Sequence, residues 1–388
     1  MRIMQYDTGA VRLDNIKFFF FLVMTLSLPF SESIKTICLL TSSVFLLIQV
    51  LRREANIRFS MLHYGFIFLF LASVISSIFA TEPSKSWSGS KDILFYSITF
   101  FIACSIDNEK KIQILLWGLY ISTVLAALSG IFNSMTAHKP LEIHSLGNQN
   151  YTAMFFMIIL TSMISTILFS DKKASSRRFI LIIFSIITLL ASAMTLMRAS
   201  FLGLFAFILS LLNLKKPSRA ILIFIIGFVF LTILVLYSDR AMWQKLFTFQ
   251  SMISRLDIWR GATSIFLENP LTGVGLNHFN FRFPPNHPVE PNNTVYDAHS
   301  LYFQIASQMG LFGIISLIII FFGFIKGWSR LQGSTGFSKA LKYSSLGAFL
   351  VIAITGLFDT TLHHEHAMAF SLISGLTFGY YQRKNETL

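Results

Sequence analysis

Runs of about 20 apolar residues recur along almost the whole chain, with short polar segments between them. A helix that crosses the hydrocarbon core of a bilayer needs roughly 20 such residues. About twelve runs of this kind lie at residues 16–30, 34–51, 59–80, 92–106, 112–132, 151–170, 179–197, 199–214, 220–237, 300–325, 341–358 and 367–382. This pattern predicts an all-α polytopic membrane protein with about twelve transmembrane helices.

The composition excludes a water-soluble enzyme. Hydrophobic side chains make up 54% of the residues and charged side chains only 13%, whereas soluble domains carry about 25% charged residues. The two cysteines, Cys38 and Cys104, both lie in apolar runs. The sequence therefore contains neither a disulfide framework nor a cysteine-based metal site.

Two parts of the apolar pattern need interpretation. Residues 179–214 form one tract that is too long for a single span, so we expect a helical hairpin that turns near Met197 and Arg198. The first run follows basic residues and has the character of a signal peptide, but no small-residue cleavage site precedes the second run. We therefore expect a retained signal anchor.

The positions of the basic residues predict the orientation of the chain. If the N-terminus is cytoplasmic, 21 of the 31 lysines and arginines fall on the cytoplasmic side and ten on the other, alternating loop by loop. This asymmetry follows the positive-inside rule and accounts for the basic excess without a nucleic-acid partner. We predict cytoplasmic termini and one integral membrane domain over residues 1–388, with nine spans in 1–237, an outward-facing loop at 238–298 and three spans in 299–388.

The long loop carries two arginines on a predicted helix. Residues 251–267 are expected to form an amphipathic helix, on which Arg255 and Arg260 point in different directions. Outward-facing guanidinium groups can bind an anion; the alternative is that they are solvated or contact lipid headgroups. The Gly-Val-Gly sequence at 273–275 lacks a third glycine and a surrounding βαβ unit, so it predicts a turn and not a nucleotide site.

Arg198 lies within an apolar tract, where a charged side chain costs a few kcal/mol unless it reaches water, a carboxylate or a phosphate. One interpretation is an arginine that snorkels to the surface and marks the hairpin turn. The other is a cavity at the membrane face, shared with the loop arginines. There a guanidinium group would match the oxygens of a diphosphate in a bidentate manner.

Histidines occur at two places that face outward in this topology. His299 stands where the long loop enters the tenth span, and a neutral imidazole there can accept a proton at neutral pH. The alternative for His299 is a polar residue at a helix entrance. His363, His364 and His366 flank Glu365 in the last outer loop. On a helix this spacing spreads the side chains around the axis, which favours an interfacial polar turn over a metal site.

Several short motifs follow one another in a defined order. Met-Arg-Ala-Ser stands at 197–200, and Arg-Leu-Asp-Ile-Trp at 255–259 leads to Asn-Pro-Leu-Thr-Gly-Val-Gly at 269–275. After His299 and Ser300, nine residues stand before Gly310, and two more stand between Gly310 and Gly313. With the topology of the whole chain, these motifs resemble the O-antigen ligase and polymerase superfamily of bacterial inner membranes. Gly-Asn-Gln-Asn at 147–150 is similar to a weaker feature of that family.

The resemblance implies a membrane glycosyltransferase (GT-C-like) fold, with the loop at 238–298 and the active site facing the periplasm of a Gram-negative bacterium. Such enzymes pass a glycan from undecaprenyl diphosphate to a hydroxyl group. In ligases, that hydroxyl belongs to the lipid A-core of lipopolysaccharide. The resemblance further implies that Arg198 and Arg255 hold the diphosphate, with Arg260 as a further substrate-binding residue, and that His299 is the catalytic base.

No cofactor is expected, because no Asp-x-Asp or paired-carboxylate motif for a metal-dependent transferase or a retaining glycosidase is present. Diphosphate is already a good leaving group, and arginines that stabilise its charge can replace a metal.

Three functions remain open at this point. An O-antigen ligase is favoured, because the spacing from His299 to Gly310 resembles the ligase form of the motif. An O-antigen polymerase would use the same donor with a different acceptor. A transporter of lipid-linked glycans, which is not an enzyme, would be expected to show inverted repeats, and no such duplication is found.

Overall fold

The computed structural model describes residues 8–55, 57–169, 175–212, 250–282 and 297–384. These residues form helices and contain no strand. The helices are α1 (Thr8–Ser27), α2 (Glu32–Leu51), α3 (Met61–Ile78), α4 (Pro83–Cys104), α5 (Glu109–Ala137), α6 (Gln149–Phe169), α7 (Ser175–Met194), α8 (Ala199–Leu212), α9 (Gln250–Glu268), α10 (Phe279–Arg282), α11 (Leu301–Arg330), α12 (Gly336–Thr355) and α13 (His364–Lys384).

Seven helices in the described ranges are long and apolar enough to cross a membrane, namely α2, α3, α5, α6, α7, α11 and α12. The chain is therefore a multi-pass membrane protein. Other predicted runs fall on α1, α4, α8 and α13, whereas the run at 220–237 lies outside the described residues. The number of twelve spans, the division into segments and the side on which the termini lie stay predictions. Of the long loop at 238–298, only 250–282 and the last two residues are described.

Two predicted features, a break in the apolar pattern and a helix in the long loop, are confirmed. The tract at 179–214 is divided by a turn at residues 195–198, between α7 and α8, and both helices pack against α6. The predicted amphipathic helix is α9, Gln250–Glu268.

The fourth span begins earlier than the apolar pattern predicted. Helix α4 starts at Pro83, whose fixed φ suits the first turn of a helix. Its first turns carry small polar residues instead of apolar ones. Ser86 and Ser90 are fully buried there and share hydrogen bonds of 2.8 Å with Ser77 of α3. Because these hydroxyl groups find partners inside the bundle, the helix extends well before residue 92, and Asp92 lies within it.

The centre of the bundle is formed by α6 and α13. Helix α12 packs on α6, α8 and α13, while α4 packs on α13 and α3 packs on α11. Two glycines of α13 permit the close approach of α4, since a Cβ at Gly375 would lie 2.6 Å from that of Ala103 and a Cβ at Gly379 only 2.7 Å from the carbonyl oxygen of Cys104. Small residues allow such backbone contacts between membrane helices.

One end of the bundle gathers the start of α6, the turn before α8, the start of α11 and the loop after α12. The backbone N–H of Leu301 donates to the carbonyl oxygen of Gly356 at 2.9 Å. The hydroxyl of Thr355 donates to the carbonyl oxygen of Ala199 at 3.4 Å. These contacts bring the residues singled out by the motifs to one place, although they are far apart in the sequence.

Candidate functional site

His299 is held in an unusual backbone conformation directly before α11. Its φ of 45° lies in the left-handed region, which non-glycine residues adopt infrequently. The backbone N–H of His299 donates to Oδ1 of Asp297 at 2.8 Å, and this interaction stabilises the turn. Strained conformations of this kind cost about 1–3 kcal/mol and are found preferentially at functional sites.

The imidazole ring of His299 has one buried and one accessible edge. Nδ1 is buried and makes no well-aligned hydrogen bond to any described residue, although Oδ1 of Asp297 lies only 3.3 Å away. The side chain as a whole is 35% exposed. Because Nδ1 is buried, Nε2 is the ring nitrogen through which His299 can meet a substrate.

Asp359 completes this site, and the motifs did not identify it. It lies in the loop between α12 and α13, with only 3% of its surface exposed. A carboxylate oxygen of Asp359 lies within 4.8 Å of a carboxylate oxygen of Asp297 and of a ring nitrogen of His299. The three residues Asp297, His299 and Asp359 are called the His299 cluster below. In the sequence, Asp359 stands out only as a single acidic residue between an apolar helix and the last histidines. It has no characteristic spacing from the motifs.

The carboxylate of Asp359 is fixed on both sides. The side-chain amide of Asn150 donates to Oδ2 at 2.7 Å, and the backbone N–H of Thr360 donates to Oδ1 at 2.8 Å. Asn150 belongs to the Gly-Asn-Gln-Asn motif, so this motif supplies a residue that fixes Asp359. Burial, assisted by the charge of Asp297, raises the pKa of Asp359 to about 6, while the charge of His299 acts in the opposite direction.

Arg198 and Arg255 come close to each other in the fold. Arg198 lies in the turn between α7 and α8 and is exposed. Partial burial, and then the positive charge of Arg255, lower the pKa of Arg198. The charge of Arg255 also lowers the pKa of Asp359. Arg255 is thus within electrostatic range of both Arg198 and the His299 cluster.

Helix α9 is fixed against the start of α11 through Trp259, one turn after Arg255. The indole Nε1 donates to the carbonyl oxygen of Ala298 at 3.1 Å. The indole ring stacks on Phe303 with 5.2 Å between ring centroids. Ile258 and Ala262 are buried beside Ala298 in a small separate core. This packing fixes the helix that carries Arg255 beside Ala298, the residue between Asp297 and His299.

Arg260 is placed differently from the other two arginines. Its side chain is 80% exposed and pairs with Asp257 of the same helix at 2.8 Å. The difference in helical phase between Arg255 and Arg260 that the sequence indicated is therefore present in the fold. The structure brings Arg198 and Arg255 together and leaves Arg260 in a local ion pair.

The glycine motifs form a structural clasp between the loop and α11. Helix α11 is interrupted at Gly310, with φ 60° and ψ −151°, and the loop at 270–275 lies in the gap. The backbone N–H of Gly275 donates to the carbonyl oxygen of Gln308 at 3.0 Å, and that of Leu311 to Pro270 at 2.8 Å. A Cβ at Gly310 would meet the carbonyl carbon of Leu271 at 2.5 Å. The Gly-Val-Gly sequence is thus a turn, as predicted, which packs against α11.

The last histidines lie at a turn that leads into α13. The spread expected on a helix does not apply to His363 and His364, because α13 begins only at His364 and the backbone is left-handed at Leu362 (φ 54°) and His364 (φ 47°). The two rings are consequently 3.7 Å apart between centroids. His366 lies on the helix and accepts, through Nε2, a hydrogen bond of 3.3 Å from the backbone N–H of His363.

Three groups of side chains in the described ranges have ligand atoms within 4.8 Å of one another and could hold a metal. The first is the His299 cluster. The second is Asp92 with His363 and His364, and the third is Glu32, His364 and Glu365. The sequence offered no reason to join Asp92 or Glu32 to the histidines.

Comparison with known proteins agrees with the order of the motifs. No curated protein matches the chain. The match to a family model, described as O-antigen ligase, covers residues 180–318. This range contains Arg198, Arg255, the clasp at Gly310 and His299. The resemblance drawn from the motifs is thereby confirmed: residues 180–318 match the family model described as O-antigen ligase.

Proposed function

We propose that this protein is an O-antigen ligase. It transfers a glycan from undecaprenyl diphosphate to a hydroxyl group of the lipid A-core, at the periplasmic face of the inner membrane of a Gram-negative bacterium, and no metal takes part in the reaction. The observation that carries the proposal is that hydrogen bonds bring the turn with Arg198, the helix with Arg255 and the start of α11 beside His299 to one end of the bundle.

The two guanidinium groups are suited to a diphosphate. The positive charge of Arg255 lowers the pKa of Arg198, because the two guanidinium groups repel each other. A diphosphate anion between them would relieve this repulsion and accept bidentate hydrogen bonds. As the bond between the sugar and the diphosphate breaks, the leaving group gains negative charge. Arginines that are already in position stabilise that charge without a metal.

His299 then takes the proton of the acceptor. The oxygen of the acceptor hydroxyl attacks the anomeric carbon, its proton passes to Nε2 of His299, and undecaprenyl diphosphate leaves with the bonding electron pair. Asp297 and Asp359 lie on the buried side of the ring and stabilise the imidazolium that forms. In this arrangement His299 is the catalytic base, while the two carboxylates are positioning residues.

Arg260 has less support as a substrate-binding residue. Its side chain is exposed and forms an ion pair with Asp257 of the same helix, not with the His299 cluster. We propose for Arg260 a contact with the distal part of the glycan or with lipid headgroups, which requires only an exposed positive charge.

An O-antigen polymerase is the alternative, since it uses the same donor and differs only in the acceptor. Lipopolysaccharide from a deletion strain distinguishes the two. Uncapped core together with free lipid-linked polymer is expected for a ligase, whereas core that bears a single repeat unit would establish a polymerase. Uncapped core, with lipid-linked glycan held on the cytoplasmic side, would favour the third function, transport.

The direct test of the mechanism is the variant His299→Gln. Glutamine has similar size and hydrogen-bonding groups but does not take up a proton at neutral pH. General-base assistance contributes about 10²- to 10⁴-fold, so single-turnover transfer by the reconstituted variant should fall by about that factor. Binding of the lipid-linked donor should be retained. His138→Gln, in the exposed segment after α5, is the matched control. Transfer by His299→Gln at near the wild-type rate would refute the base assignment.

A further inference from the structure

We propose that Asp92, His363 and His364 bind a divalent transition metal ion, of which Zn²⁺ is the representative, at a site separate from the His299 cluster. Asp92 comes from α4, while the two histidines come from the junction between the last loop and α13. The three residues are called the Asp92 cluster. Their ligand atoms lie within 4.8 Å of one another.

The backbone of the loop is what allows two consecutive histidines to converge. In a regular helix, neighbouring residues point about 100° apart and cannot ligate one ion together. Here His363 precedes the helix and His364 has a left-handed φ of 47°, which brings the rings to 3.7 Å between centroids. A left-handed conformation is unfavourable for histidine, and a ligand that needs both rings would repay that cost.

The spacing of the donors suits a tetrahedral ion after small movements. Zinc bonds to histidine nitrogen and carboxylate oxygen of about 2.0–2.2 Å place two tetrahedral ligands roughly 3.3–3.6 Å apart. Nδ1 of His364 and Oδ2 of Asp92 are already 3.8 Å apart. Since all the ligand atoms lie within 4.8 Å of one another, any two need to approach by at most about 1.5 Å. Two imidazoles and a carboxylate form a donor set typical of Zn²⁺ and similar ions.

One of the proposed ligands has a buried donor atom that makes no hydrogen bond to the described residues. Nδ1 of His363 is buried and has no hydrogen-bond partner among the residues that the structure describes. A buried nitrogen without a partner costs about 1–3 kcal/mol. The ring packs instead against Tyr151, with 5.6 Å between ring centroids. Coordination of a metal would satisfy this atom.

The charges around the cluster favour a cation. A small cleft at the cluster is lined by Glu32, Lys35 and Asp92, and Glu365 forms a buried ion pair with Lys35. Three carboxylates therefore face the ammonium group of Lys35 and, from solvent, that of the exposed Lys91 beside Asp92. With both histidines neutral, an excess of one negative charge remains. Glu32 also lies within 4.8 Å of the ligand atom of His364 and can serve as a fourth ligand.

A metal at this site would join α4 to the loop between α12 and α13. That loop also carries Asp359, four residues before His363. The ion would thus act as a structural clamp on the segment that supports the His299 cluster, without touching the reacting groups. Binding only to the folded state stabilises a protein in proportion to the logarithm of the free metal concentration.

The test uses the purified full-length protein in detergent. It is stripped with a chelator and equilibrated with Zn²⁺, and the zinc bound per chain is measured together with the temperature of thermal unfolding. We expect about one zinc per chain and an unfolding temperature that rises with free zinc. The variants Asp92→Asn and His364→Gln should lose both effects. Asp297→Asn, which alters the His299 cluster, should retain both.

Co²⁺ gives a second readout that does not depend on the variants folding. Cobalt in a tetrahedral site with histidine nitrogen ligands produces visible d–d absorption, which we expect from the stripped wild-type protein and which Zn²⁺ should displace. Absence of both zinc binding and this absorption in wild-type protein would overturn the proposal. Loss of zinc in Asp297→Asn, with retention in Asp92→Asn, would also overturn it, because the ion would then belong to the His299 cluster.

Discussion

The substitution Asp359→Asn should lower activity while it raises stability, and these opposite effects make it informative. The side chain keeps its size and can still accept from the backbone N–H of Thr360, which lies 2.8 Å from Oδ1. The amide of Asn150 can turn over to present its oxygen to the new amide nitrogen. What the variant loses is one negative charge beside His299.

The effect on the rate follows from the distance. An imidazolium and a carboxylate with atoms 4.8 Å apart or closer attract each other by about 3.5 kcal/mol at an effective dielectric constant of 20. Because 35% of the His299 side chain is exposed, solvent screening reduces this to about 1.5 kcal/mol. Loss of that stabilisation when His299 takes up the proton lowers the rate about tenfold.

The effect on stability has the opposite sign. Burial, together with the charge of Asp297, raises the pKa of Asp359 from 3.8 to about 6 in the folded protein. The folded state therefore binds this proton more tightly than the unfolded chain does. The resulting stabilisation is complete below pH 3.8 and is lost as the pH rises through about 6. Asparagine is neutral throughout, so Asp359→Asn should be up to about 3 kcal/mol more stable than wild type at pH 7 and above.

Single-turnover transfer and thermal unfolding in detergent, both measured from pH 5 to pH 8, test this reasoning. We expect the variant to transfer more slowly than wild type at pH 8 and the difference to shrink below about pH 6, where Asp359 of the wild type is itself protonated. The matched control is Asp257→Asn, whose carboxylate pairs with the exposed Arg260 of the same helix. Full activity of Asp359→Asn would refute the positioning role of the carboxylate. Activity and unfolding temperature that fall together would show that the residue is only structural.

Three further outcomes are expected. Arg198→Lys and Arg255→Lys should each reduce transfer at least about tenfold, because lysine keeps the charge and loses the bidentate fork; Arg260→Lys should change it little, and equal effects in all three would contradict the diphosphate assignment. Gly310→Ala should destabilise the protein by about 3 kcal/mol or more, since its Cβ would meet backbone atoms at 2.5 Å in a left-handed conformation; an unchanged unfolding temperature would argue against the clasp. Alkaline phosphatase fused after Asn286, in a segment outside the described residues, should be active; an inactive fusion there would invert the predicted topology.

Hydrophobicity along the chain determined where the helices lie. The turn before Arg198, the amphipathic helix α9 and the position of His299 directly before α11 all followed from the sequence, because each depends on neighbouring residues. The motifs also indicated the family. The different directions of Arg255 and Arg260 followed from the helical repeat alone.

The partners of these residues depend on tertiary structure. Asp359 meets His299 across a separation of 60 residues in the sequence, and Asp92 meets His364 from another helix. In a membrane protein almost every helix face is apolar, so hydrophobicity does not determine which helices pack together. Left-handed backbone at His299 and His364 is likewise stable only where surrounding packing enforces it. For this physical reason the sequence placed the imidazole of His299, whereas only the fold supplied the carboxylates around it.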